Sequence, residues 1–225
     1  MIAALTDARL IAAKDLRIEA RSRIGLTHVL PFVGAVLLLF GFALDSDSGA
    51  LQRATSGLFW VTVLFAAVLL VQRSFALEQA DGVFDALRLS GLRPAGIYLG
   101  KVVALTLQLL VVDVVLGLGV IVFYGVSPTG IALLSVVCVV ATIGIAAAGA
   151  LYGPLTSGLR ARDTALPLLL LPVLAPVLLG ATRAFEIALG RAVGGGWAWA
   201  AMLGIFAFVE LALGSVLWGP LLEES

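Results

Sequence analysis

The sequence predicts an all-α integral membrane protein: six transmembrane helices, an N-terminal interfacial helix and one long cytoplasmic connector. Three observations lead there. First, 61% of the 225 residues are hydrophobic and only 12% are charged, with mean hydropathy +1.14. A soluble domain carries roughly 25% charged residues, so this chain cannot cover itself with a water-facing surface. Second, the apolar residues gather into six stretches, 24–44, 54–72, 102–124, 131–152, 164–182 and 197–220. At about 1.5 Å per residue, roughly 20 residues cross a hydrocarbon core about 30 Å thick. Third, Lys and Arg alternate between faces. Arg9, Lys14, Arg17, Arg21 and Arg23 precede the first span, Arg73, Arg88, Arg93 and Lys101 follow the second, and Arg160 and Arg162 follow the fourth. The other face has only Arg53, Arg183 and Arg191. Basic residues beside a span stay in the cytoplasm, which places both termini there.

Residues 1–23 are rich in helix formers, with Lys14, Arg17 and Arg21 on one side and Asp15 and Glu19 on another. They predict a helix along the inner headgroups, its bases toward anionic lipid. The first span is expected to be retained, since its charged leader reaches Arg23 and five further spans follow. His28, the one histidine, falls one turn into that span, where a hydrogen-bonded interfacial side chain is expected and metal ligation is the alternative. The link 45–53 is a turn-rich outer loop.

The connector 73–101 is far longer than the roughly 2 to 8 residues a helix hairpin needs. Its pattern is helical, with Leu77, Phe84 and Leu87 apolar and Glu78, Asp81 and Asp85 spaced to share one face. Two readings stay open on pattern alone, a solvated acidic face and a helix that docks a partner.

Span three carries Asp113 and span six Glu210. A carboxylate at the bilayer centre costs at least about 2.5–3.5 kcal/mol, so each is expected against protein or a wet cavity, or neutral. Both are candidate intramembrane functional residues. Span five holds Pro167, Pro172 and Pro176, which predict a kinked or broken helix, and Pro172 and Pro176 are candidates for a path or hinge. Gly149 and Gly153 form a small-xxx-small pair suited to close helix packing. The outer link 183–196 reads as a turn or two of interfacial helix with a Gly194-Gly195-Gly196 exit, followed by Trp197 and Trp199 at belt positions.

Several functions are excluded. Fourteen bases against fourteen acids and a pI of 6.6 give no nucleic-acid footprint. Cys138 stands alone, which removes disulfide scaffolds and thiolate metal clusters. No catalytic signature occurs, and residues 96–101 fail the phosphate-loop spacing because Val102 follows the lysine. No catalytic, cofactor-binding or metal-ligating residue is assigned, and residues 1–225 form one transmembrane domain.

A leader helix, six spans, a long first cytoplasmic connector and no ATPase resemble the permease subunit of an ABC exporter. More narrowly, the chain resembles the haem exporter protein B (CcmB) family along essentially its whole length. The likeness is strongest at Phe75, Asp81-Gly82, Leu87 and Lys101, and from Leu155-Thr156-Ser157-Gly158-Leu159-Arg160 through Leu171-Pro172 and Pro176 to Leu179 and Ala181. It departs at Gly91, where the family commonly has proline, and at Asp113 and Glu210. The resemblance implies that 73–101 is a coupling helix in an ATPase cleft, with Phe75, Glu78, Asp81, Gly82, Asp85 and Leu87 as docking residues. It implies a non-catalytic permease of the inner membrane, ATP hydrolysed on a separate ATPase (CcmA), haem as substrate, and assembly with a haem-handling membrane protein (CcmC) and a small peptide (CcmD) in c-type cytochrome biogenesis. A second copy of the chain and membrane lipid are further expected partners, nucleic acid is not. The alternatives are a permease for a drug, lipid or polysaccharide, a non-transporting scaffold, and a proton-coupled carrier.

Overall fold

In a bilayer no water satisfies exposed N–H and C=O groups, so long apolar runs must close their hydrogen bonds within themselves. In the computed structural model, which describes residues 2–22, 24–44, 49–80, 91–157 and 162–224, they do so in seven helices. These are α1 (Ile2–Ser22), α2 (Ile24–Ala43), α3 (Ala50–Ala80), α4 (Pro94–Tyr124), α5 (Ile131–Ser157), α6 (Arg162–Ala188) and α7 (Gly196–Glu224). Among them five stretches are long and apolar enough to cross a membrane, Ala50–Ala76, Pro94–Tyr124, Ile131–Leu155, Ala165–Ala188 and Gly196–Leu221. The corresponding stretch of α2, Thr27–Ala43, is shorter, roughly 25 Å at about 1.5 Å per residue.

α4 and α5 lie at the centre. α5 packs against α3, α4, α6 and α7, while α4 also meets α1 and α2. The outer surface of the bundle is apolar: Phe42, Val122, Leu179, Ile205, Phe208 and Val216 are each more than two-thirds exposed. A water-facing protein rarely presents so many large apolar side chains together, whereas lipid solvates them.

The first two helices follow α4 from end to end. α1 lies against its Pro94 end, where a Cβ on Gly96 would stand 2.6 Å from Asp7 Cβ and one on Gly100 would stand 2.7 Å from the Ala8 carbonyl oxygen. Only glycine permits that approach. α2 then reaches the far end, where the Tyr124 hydroxyl donates to the Leu37 carbonyl at 3.0 Å. The expected leader helix is thus present, and its buried face is Ala8, Ile11 and Ala12 packed on protein.

α3 and α4 run past the expected span ends, so the part of 73–101 outside both helices is 81–93. Gly149 and Gly153 do receive a neighbour, Val71 and Phe75 of α3. The expected interfacial helix after residue 182 is instead the last turns of α6, because Phe185 is buried with its ring centroid 4.7 Å from that of Phe59. α6 is also continuous through Pro167, Pro172 and Pro176, not broken.

Candidate functional site

Two places hold the candidate residues: the roots of the α3–α4 connector and the buried carboxyl groups of α4 and α7. At the first, the sequence could have presented Phe75 outward for a partner. It is instead 1% exposed, seated on Gly153, with its ring centroid 6.3 Å from that of Trp218. Phe75 therefore packs inside the bundle at the root of the connector. Glu78 belongs to the last turns of α3. Asp81, Gly82, Asp85 and Leu87 lie outside the described residues.

At the other root, Gly91 has φ +70°. Proline, fixed near −65°, cannot take that conformation. Arg93 is the N-cap with extended backbone and Pro94 opens the helix, a position where its missing N–H costs nothing. The Arg93 amide donates to Asp7 Oδ2 of α1 at 3.3 Å.

Lys101, one residue before the expected third span, is 1% exposed. Its Nζ stands 3.5 Å from Asp15 Oδ2 and 4.9 Å from the centroid of the Phe75 ring. Sequence reasoning counted Lys101 toward topology and Asp15 toward a polar side of α1, and missed the pairing. The signal was there in Gly96 and Gly100, a small-xxx-small pair directly before the lysine that marks where another helix approaches.

The buried carboxyls are separate sites. The Thr142 hydroxyl of α5 donates to Asp113 Oδ2 at 2.6 Å, while Asp113 Oδ1 is buried with no hydrogen-bond partner among the described residues. Glu210 lies on α7 across from Ala147, which is five residues beyond Thr142 on α5: the Tyr98 hydroxyl reaches both the Ala147 carbonyl (3.1 Å) and the Glu210 carbonyl (3.0 Å). Glu210 Oε2 is likewise buried and unpartnered among the described residues. Both face protein, as the insertion cost requires. Asparagine has the shape of Asp113 and no charge. Asp113→Asn should therefore change unfolding free energy by less than about 1 kcal/mol and leave transport intact. A tenfold loss of activity in a normally melting Asp113→Asn protein would instead assign Asp113 a charge-dependent role.

Pro172 and Pro176 are exposed on α6 beside Leu168, Leu171 and Leu179. Both lie on the outer surface of the bundle. His28 is exposed on α2, Cys138 is half-buried, and no three His, Cys, Asp or Glu side chains gather to hold a metal among the described residues.

Residues 7–221 match the family described as CcmB protein. The chain belongs to the CcmB family. Its relatives include the "Heme exporter protein B" of Pseudomonas aeruginosa, 30% identical over 180 residues that cover 80% of this chain and 81% of that one. Those of Haemophilus influenzae and Paracoccus denitrificans are each 30% identical, over 186 and 169 residues. The match begins within α1 and ends near the last turn of α7, so the α1–α4 contact and the connector belong to the CcmB part of the chain. With five long apolar helices, this CcmB chain is a multi-pass membrane protein.

Proposed function

We propose that the chain is the permease subunit of an ABC transporter that exports or delivers haem for c-type cytochrome assembly, driven by ATP hydrolysed on a separate subunit. The observation that carries this reading is the CcmB match over residues 7–221, joined to relatives whose printed names are haem exporters. The α3–α4 connector, with Glu78, Asp81, Gly82, Asp85 and Leu87, is the segment that docks the ATPase, and Phe75 holds it from within. A CcmC-like protein and a CcmD-like peptide complete the assembly in the cytoplasmic membrane.

α2 is the sixth crossing, and both termini are cytoplasmic. In support, α1 packs at the Pro94 end of α4 while Leu37 and Gly41 sit at its Tyr124 end, so the chain travels the length of α4 between them. The exposed bases Arg9, Arg17 and Arg21 turn toward anionic lipid on the face of α1 opposite α4.

Purification of the assembled complex tests this. The chain should co-purify with an ATPase subunit, and Asp81→Lys with Gly82→Trp should cut permease-dependent ATP turnover at least tenfold. Isolation without any ATPase, together with normal c-type cytochrome formation in cells lacking the chain, would overturn it.

A further inference from the structure

A lysine ammonium removed from water is costly unless it is paired and held, so a fully buried one marks a place where charge is needed. Lys101 stands where three elements converge. The lysine comes from α4, its acidic partner Asp15 from α1 at 3.5 Å, and the ring beneath it, Phe75 at 4.9 Å, from α3; the other oxygen of Asp15 pairs with Lys14 of its own helix at 3.0 Å. Asp15 is also nearly buried, its side chain 11% exposed. Packing at Gly96 and Gly100 already fixes how near α1 comes to α4. The ion pair ties α1 to the Lys101 ammonium of α4, and that ammonium, lying over the Phe75 ring, carries the link on to the root of the connector on α3, which packing at the two glycines does not do. A second link joins α1 to the other root, since Asp7 accepts from the Arg93 amide at 3.3 Å. Both ends of the connector are thereby referred to one helix.

We propose that Asp15 and Lys101 are positioning residues for coupling: together they make α1 a strut that sets where the α3–α4 connector stands. This rests on the reading of the connector as the ATPase-docking segment. α1 carries its bases on the opposite face, where Arg9, Arg17 and Arg21 are exposed. The strut is thus seated at the headgroups on one side and against the connector's roots on the other. Displacing α1 would part the ammonium from its carboxylate inside the protein, so the docked arrangement is a discrete state and not one point in a soft continuum. A connector held in this way passes a push from a partner into α4 and α3 without being lost in rotation of α1.

The test has two arms. In the assembled complex, Asp15→Asn should lower c-type cytochrome formation at least tenfold while the ATPase still co-purifies, and Asp15→Glu, which keeps the charge, should stay within about twofold of the parent. Asp15→Asn leaves a buried ammonium that could cost the fold, so Asp15→Asn/Lys101→Met, which removes both charges, is measured beside it and should show the same loss. In the second arm, the chain alone in detergent carries Cys138→Ala and spin labels at Leu10→Cys and Leu107→Cys. The label-to-label distance distribution should be narrow, and should broaden on adding Asp15→Asn. Parent-level output from the double variant, or a distribution that stays narrow, overturns the proposal. Output that never depends on an ATPase defeats the coupling reading instead, and the distance arm still decides whether the pair holds α1.

Discussion

Phe75→Ala will destabilise the purified protein in the absence of any ATPase, by about 3 kcal/mol. Truncating a buried phenylalanine costs about 3–5 kcal/mol in soluble cores, through lost transfer energy and the cavity left behind. Lipid is as apolar as the protein interior, so the transfer part shrinks in a membrane and the cavity and packing part remains, which sets the lower end of the range. Here the cavity would open beside Gly153, remove the ring that meets Trp218, and uncover the Lys101 ammonium. Thermal unfolding in detergent measures it. A chain of this size shifts by roughly 2–4 °C per kcal/mol, so the melting temperature should fall by about 6–12 °C. A docking side chain on the surface behaves differently: its loss changes stability by less than about 0.5 kcal/mol and weakens only the hold on the ATPase. That second result would return Phe75 to the exposed face of the connector.

The contrast at Phe75 shows what could be read from the chain and what could not. Apolar length was enough for the helical membrane class, because the bilayer sets the span. The leader helix was legible from its helix formers, and a close helix approach to α5 from Gly149 and Gly153, though not that α3 makes it. What a helix in lipid hides is which way it faces. Every side of α6 is apolar, so nothing in its composition said that Phe185 turns inward while Pro172 and Pro176 turn outward. In a soluble amphipathic helix the polar stripe would have given that answer. The same gap concealed Lys101. A lysine at a span end is ordinarily a headgroup contact that snorkels to water, and its partner Asp15 is 86 residues away in sequence. Asp113 was recognisable as a site because charge inside an apolar run is costly wherever it points. Its partner Thr142 was not, since threonines in helices commonly bond their own backbone, as Thr55 and Thr62 do.

Gly214→Ala will lower stability by about 2–3 kcal/mol, and Gly117→Ala will not. Both glycines lie in long apolar helices, and intrinsic propensity favours alanine over glycine at either position by roughly 0.5–1 kcal/mol. At Gly117 nothing stands within 4 Å of the added Cβ, so that gain should appear as unchanged or slightly raised stability. At Gly214 the Cβ would fall on the Tyr98 ring. Tyr98 is fully buried, with its ring centroid 5.4 Å from that of Trp218 and its hydroxyl bound to the Ala147 and Glu210 carbonyls. It is pinned on three sides and cannot swing clear. Overpacking of this kind costs about 1–3 kcal/mol, and each hydrogen bond pulled out of place adds about 1 kcal/mol, which outweighs the propensity gain. Paired melting curves of the two variants in the same detergent isolate the effect, since the chemical change is identical. If Gly214→Ala melts with Gly117→Ala, then α7 does not approach α4 as closely as Tyr98 requires. If it melts about 5–10 °C lower, the junction of α4, α5 and α7 at Tyr98 is a rigid contact, and the backbone of Glu210 is held there by the tyrosine that α4 supplies.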